Sequence, residues 1–279
     1  IQSETSKLIL PFAVEFSGAV PSGLGYYFME DNAISPNDDG VKDSSLLLFQ
    51  LLNNHGQIFI ELWDAQDPEG GYYGDGYVGY LISQASLGSG RWQLPVSGQY
   101  TEWGSSLPKT AAEGVYTVDL TAVNPLGGTT FGWDVLYVKT SDSEVDFVAP
   151  ETVTGTEYEL TGTVVDKFVD FKSTVENVIG LDYDVNDMLT VEYEVTDAEG
   201  NATDSGSVEL NEDGTFAISL SDLAVGANTV TLSISDVAGN SSEHTVTLTV
   251  EELPKEVSIT LTPSTVESTV NPVTITVDT

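Results

Sequence analysis

The sequence predicts an all-β fold arranged as β-sandwiches in tandem. Short runs of β-branched and aromatic residues alternate with polar ones, as in Gly114-Val115-Tyr116-Thr117-Val118-Asp119-Leu120. That is the period-two pattern of strands with one buried face. Turn residues cut the runs at short intervals, as at Asn124-Pro125-Leu126-Gly127-Gly128 and Asn211-Glu212-Asp213-Gly214. No long segment keeps a helical period, so sheet-on-sheet packing is left as the way to bury these faces.

Taken in order, Lys7 to Phe16 is an apolar strand candidate that Pro11 confines to an edge or a bulge. Tyr26-Tyr27-Phe28 is a short extended run. Leu46 to Leu52 and Gln57 to Trp63 read as strands on either side of Asn53-Asn54-His55-Gly56, and so as a hairpin. The stretch 64–79 is too rich in glycine for a helix. Gly114 to Val123 and Phe131 to Val138 close the first unit. The acidic stretch 141–150, ending in Pro150, reads as a boundary.

The second unit has strands at Tyr158 to Val165, Leu189 to Val195, Ser205 to Leu210, Thr215 to Leu220, Asn228 to Ser235 and Glu243 to Val250. Within 167–186, Phe168, Phe171, Val175 and Ile179 have near-helical spacing, which Gly180 and Asp182 stop. Two turns share one pattern, Asp197-Ala198-Glu199-Gly200-Asn201 and Asp236-Val237-Ala238-Gly239-Asn240. In each, Asp caps the turn and Gly supplies the positive φ. The organisation expected is a first sandwich over 1–149, a second over 150–252, and over 253–279 the start of a further, incomplete one.

One loop carries a chemical pattern. In Ser35-Pro36-Asn37-Asp38-Asp39-Gly40-Val41-Lys42-Asp43, oxygen-bearing side chains stand at the first, third, fifth and ninth places, with glycine at the sixth. Calcium loops need hard oxygen ligands at alternate positions, a glycine for the sharp bend and a backbone carbonyl at the seventh place. Ser35, Asn37, Asp39 and Asp43 are the candidate side-chain ligands for Ca2+, and Val41 the carbonyl ligand. The twelfth place is Leu46 rather than a bidentate Glu, so the loop is half of an EF-hand-like site leading into a strand. The competing reading is a solvated turn between strands.

Composition narrows the partners. The chain has 44 acidic residues against 8 basic, for a net charge of −36. Such a surface repels nucleic acid and anionic membranes and attracts cations. With no cysteine, disulfides and thiolate chemistry are excluded. No apolar run is long enough to span a membrane as a helix. The chain does not begin with Met and shows no signal peptide, so a piece of a longer chain is expected.

Nucleophilic catalysis of the Ser-His-Asp type needs a histidine able to take the serine proton. The two histidines are His55, in a turn, and His244, in an alternating strand, and each reads as a surface residue. For glycoside hydrolysis, Asp64, Asp67, Glu69 and Asp75 are the acidic cluster to test. Tyr72, Tyr73, Tyr77, Trp92 and Trp103 could form a stacking platform for a ligand, or pack over a sandwich edge.

The loop Ser35 to Ser44, with Ile60-Glu61-Leu62-Trp63-Asp64 and Gly114 to Leu120, resembles the fibronectin type III-like domain that follows the catalytic domain in cell-envelope and secreted subtilisin-like serine proteases. Lactocepin-like and Vpr-like subtilases are the nearest cases. The resemblance covers about residues 8–140. The second unit is similar to the immunoglobulin-like module that often comes next, and Leu261-Thr262-Pro263-Ser264 to the start of another bacterial repeat. The resemblance implies tandem Ig/fibronectin type III-like β-sandwiches, and calcium in the Ser-Pro-Asn-x-Asp-Gly loop. It also implies an extracellular or cell-envelope setting.

This chain departs from that architecture in lacking the catalytic domain. The function expected is therefore a non-catalytic, calcium-stabilised stalk. Its partners would be the catalytic domain of the parent protease, and the cell wall or a protein substrate. Two other classes stay open: an adhesin or carbohydrate-binding module, and a subunit of a surface layer or filament with unfinished sheet edges.

Overall fold

A computed structural model of the chain describes residues 23–66, 76–150 and 152–252. The expected strand at Lys7 to Phe16, the rings of Tyr72 and Tyr73, the carboxylates of Asp67, Glu69 and Asp75, and the third unit at 253–279 all lie outside the described residues.

Among the described residues, the first unit is two facing sheets. A three-stranded sheet has the order β1 (Leu24–Met29), β3 (Ser45–Leu51), β6 (Gly90–Val96). The other is seven-stranded: β2 (Ala33–Ile34), β10 (Thr129–Val138), β9 (Gly114–Val123), β4 (His55–Asp64), β5 (Tyr77–Leu87), β7 (Gln99–Thr101), β8 (Pro108–Thr110). Leu47, Phe49 and Leu51 alternate inward from β3. They share a core with Ile58, Ile60 and Leu62 of β4 and with Val118, Leu120 and Ala122 of β9. Each of the larger of these side chains, Val, Leu, Ile or Phe, contributes roughly 1.5–3 kcal/mol on full burial.

The expected hairpin of β3 and β4 does not form. β3 pairs with β1 and β6, whereas β4 pairs with β5 and β9. Each strand has one apolar face, and those faces meet across the core rather than edge to edge. The turn at Asn53-Asn54 carries the chain from one sheet to the other. Asn211 to Gly214 behaves alike: it closes a tight turn, with Asn211 N–H donating to Thr215 O at 2.9 Å. The strands it joins nevertheless lie in different sheets.

The second unit repeats the architecture. Its three-stranded sheet is β11 (Glu144–Val148), β13 (Tyr158–Val165), β16 (Thr215–Leu220). The five-stranded sheet is β12 (Thr152–Thr154), β18 (Ser241–Glu251), β17 (Gly226–Asp236), β14 (Leu189–Thr196), β15 (Ala202–Val208). The second half of the acidic stretch is thus a strand of this unit, and the passage between units falls between Val138 and Glu144.

A helical insert follows β13: α1 (Lys167–Thr174), a π-helical turn (Val175–Ile179) and α2 (Val185–Met188). Asp166 caps α1, its carboxylate accepting from Phe168 N–H, and Phe168, Phe171 and Val175 point inward. Gly180 ends the π turn in the left-handed region at φ 81°, which glycine adopts without steric cost. Among the described residues no helix is long and apolar enough to cross a membrane.

Candidate functional site at the junction of the two units

The calcium-like loop and the paired Asp-Gly-Asn turn come together where the units meet. Asp43 organises the loop, its two oxygens accepting from Asp38 N–H at 2.8 Å and Gly40 N–H at 2.9 Å. Asp39 accepts from Val41 N–H and from Asn37 Nδ2, while Asn37 Oδ1 accepts from Asp39 N–H. Asn37 and Asp39 are exposed and Asp43 half-buried. Ser35 points the other way. It is buried, and its Oγ donates to Asn240 Oδ1 of the second unit at 2.7 Å.

The rest of the loop also leans on that turn. Lys42 Nζ donates to Val237 O at 2.9 Å and pairs with Asp31. Val41 and Lys42 pack against Gly239, where an added Cβ would meet Val41 Cγ1 at 2.7 Å. Glycine is required there twice over, for this close approach and for φ 93°.

At the centre is Lys139, one residue past β10. Its side chain is wholly buried, with Nζ 2.7 Å from Asp236 Oδ2 and 3.0 Å from Asp166 Oδ2. Ser141 O accepts from the same ammonium at 2.6 Å. Asp166 also accepts from Ser143 Oγ, and Asp236 from the backbone and side-chain nitrogens of Asn240. Asn240 Nδ2 donates in turn to Lys139 O. Burial alone would push the Lys139 pKa down; the hydrogen bonds and charges of Asp236 and Asp166 outweigh it, and the pKa is raised. The twin turn at Asp197 has the same backbone bonds, but its carboxylate meets Asn201 and solvent.

Tyr137, two residues earlier, crosses the same boundary. Its ring lies 5.9 Å from Phe168, 6.2 Å from Phe171 and 6.2 Å from Tyr183. With Ala33, Val115 and Val135 it belongs to the apolar core of the second unit. Aromatic contacts of this kind contribute roughly 0.5–1.5 kcal/mol beyond their area. Sequence reading missed Lys139 and Tyr137. The available signal was a rare basic residue closing an apolar strand, in Leu136-Tyr137-Val138-Lys139.

The other candidates are scattered. Tyr77 is buried and packs edge-on against Trp63 and Tyr80. Trp92 lies in the three-stranded sheet, while Trp103 packs at a tilt against Tyr80 of the seven-stranded one. The described rings of the expected platform therefore form no single row. Asp64 Oδ1 accepts from Gln66 N–H. His55, expected at the surface, is buried, with Nδ1 2.8 Å from Asn53 O. His244 Nε2 lies 2.8 Å from Ser143 O.

No family model matches the chain, and no curated protein matches it. Among solved structures it is similar to the fibronectin(III)-like modules of CbhA from Clostridium thermocellum, at 13% identity and a TM-score of 0.33, over 81% of this chain and 95% of that one. It is similar also to a tetra-tandem repeat from the extending region of a large adhesion protein, at 18% identity and a TM-score of 0.34, over 80% of this chain and 48% of the other. A third is a 1.5-MDa bacterial ice-binding adhesin, at 14% identity and a TM-score of 0.34, over 81% and 64% respectively. The sandwich architecture rests on the strand pairing itself.

Proposed function

We propose that this chain is a stiff, non-catalytic stalk in an extracellular protein, the accessory region of a secreted or cell-envelope subtilisin-like protease. The observation that carries the reading is the Lys139 clamp. A buried cation from the end of the first sandwich pairs with two carboxylates of the second, so bending the joint strands buried charge. A spacer needs such a joint, because units joined by a small polar interface move relative to one another. The protease assignment draws on the Ser35 to Ser44 motif and its resemblance. Its test is the reading frame upstream of Ile1. A subtilisin-like catalytic domain there supports the assignment, and a frame without one contradicts it.

Calcium belongs to the same proposal. Asn37, Asp39, Asp43 and the Val41 carbonyl place oxygens along one short exposed loop, and each carboxylate oxygen keeps lone pairs beyond its present bond. Ser35 is the poor fit, since its hydroxyl serves Asn240. A bound cation would supply positive charge to a loop now held by carboxylate-to-amide bonds. Thermal unfolding tests it: ligands that bind only the native state raise the melting temperature. A melting temperature indifferent to calcium and chelator would falsify the role.

A further inference from the structure

A cleft of about 370 Å³ opens where the outer face of the seven-stranded sheet meets the π-helical turn. Trp63, Thr117, Asp119 and Trp133 line it from the first unit, Val178 and Ile179 from the second. Strand register explains the grouping. Trp133 stands opposite Asp119, and Asp119 opposite Glu61, while Thr117 stands opposite Trp63 in the next row. Carboxylates are thus set between indoles on one sheet face. Trp133 is half-exposed, and Phe131 continues its face of β10 at 70% exposure. Sites between units with apolar walls and a few convergent polar groups are the usual places for ligands.

The charge here is of one sign. Asp64 and Asp119 line the cleft, Glu61 adjoins it, and among the described residues no Lys, Arg or His lines it. Asp119 Oδ1 is buried without a hydrogen-bond partner. Burial holds the Asp119 carboxyl above its usual range, and burial together with Asp119 does the same to Glu61. Side-chain hydrogen bonds from Thr117 to Asp119 and from Trp63 to Glu61 offset this only in part, and no basic side chain lines the cleft among the described residues. The junction aromatics and the Lys139 clamp hold both walls in place, so the cleft depends on the rigid joint and not on the parent protease.

The complement is a planar cation rich in donors. A guanidinium stacks on indole faces, is weakly hydrated and offers five N–H groups to carboxylates. A calcium ion is a poor match, because indole walls supply no oxygens. A neutral sugar would stack but leave the charge uncompensated. We propose that this cleft binds an arginine side chain of a polypeptide partner, its guanidinium stacked on Trp133 and donating to Asp119.

The probe is the pentapeptide acetyl-Gly-Gly-Arg-Gly-Gly-amide, with its lysine and citrulline counterparts, titrated into the whole chain at physiological salt. NMR follows the indole N–H signals. The arginine peptide is expected to shift Trp63 and Trp133 and to leave Trp92 and Trp103 in place. Citrulline, flat but neutral, is expected to bind at least tenfold more weakly. Trp133→Ala, which keeps the charge, and Asp119→Asn, which keeps the shape, are each expected to weaken binding at least tenfold. Retained dispersion of the same spectra shows that the variants are folded, and Asp119→Asn is expected to be the more stable protein. Equal shifts of all indoles, insensitive to both substitutions, would reduce the effect to diffuse attraction by an acidic surface and overturn the proposal. So would equal binding of citrulline, no binding of arginine, or cellohexaose moving Trp63 and Trp133 where the arginine peptide does not.

Discussion

Lys139 Nζ and Asp236 Oδ2 lie 2.7 Å apart with both side chains shut away from solvent, 97 residues apart in the chain. The pair joins the end of one sandwich to a hairpin turn of the next. Removing one partner of a buried pair leaves the other charge stranded, at a cost of about 3–5 kcal/mol. Lys139→Met is expected to lower stability to urea by that order. Adding Asp166→Asn and Asp236→Asn should restore most of it, because the orphaned charges are then gone. A single substitution without measurable effect would show the ammonium to be dispensable.

The alkaline limb of stability follows from the same residues. The folded pKa of Lys139 is raised, and the Tyr137 hydroxyl is pushed up to about 12, by burial first and then by Asp134. A group with a raised folded pKa stabilises fully below its unfolded value and loses that contribution as pH climbs through the folded one. The unfolded values are roughly 10 for both types. Urea midpoints should therefore be flat to about pH 10 and fall above it. Tyr137→Phe should remove the Tyr137 share of that fall and leave the shares of Tyr27, Tyr116 and Tyr183, whose hydroxyls burial also pushes up.

Asp119 works in the opposite sense to a stabilising carboxylate. Its folded pKa is raised, chiefly by burial. Its contribution is therefore favourable below the unfolded value of roughly 4 and is lost as pH rises through the folded pKa. Asp119→Asn is expected to raise the melting temperature at pH 7. The gain should vanish near pH 3, where wild type is itself neutral. A melting temperature that drops at pH 7 would mean that the hydrogen bond from Thr117 outweighs the cost of burial.

Gly239 marks the contact between loop and turn. Gly239→Ala places a methyl against Val41 and forces a positive φ on a residue with a Cβ. The loss should be about 1–3 kcal/mol, the range for a strained backbone position. Gly200→Ala, in the twin turn with open space around it, carries the φ penalty alone and should cost less. Thermal unfolding of the two variants side by side checks the difference.

How much of this was legible in the sequence depends on the range of the interaction. β9 and β10 and their turn follow from alternation and from Asn124-Pro125, because period and turn chemistry are local. β3 and β4 read equally well as strands, yet their pairing did not, since a turn signal is the same whether the chain reverses within a sheet or crosses to the facing one. The 35–43 loop was legible as a motif, whereas the engagement of Ser35 with Asn240 spans 205 residues. The Asp197 and Asp236 turns are alike in sequence, and only the arrival of Lys139 makes one of them structural. The cleft was invisible for a related reason: Trp133, Asp119 and Glu61 become neighbours only through strand register.

The rigid joint is the premise most open to direct measurement. The chain has no cysteine, so spin labels can be placed on Leu126→Cys in the first sandwich and Glu199→Cys in the second without competition. Both sites are exposed. Pulsed electron-electron double resonance then reads the distance between the units. One narrow distribution is expected, broadening when Lys139→Met is added to the labelled chain. A broad distribution in the otherwise native protein, unchanged by that substitution, would contradict a stiff stalk.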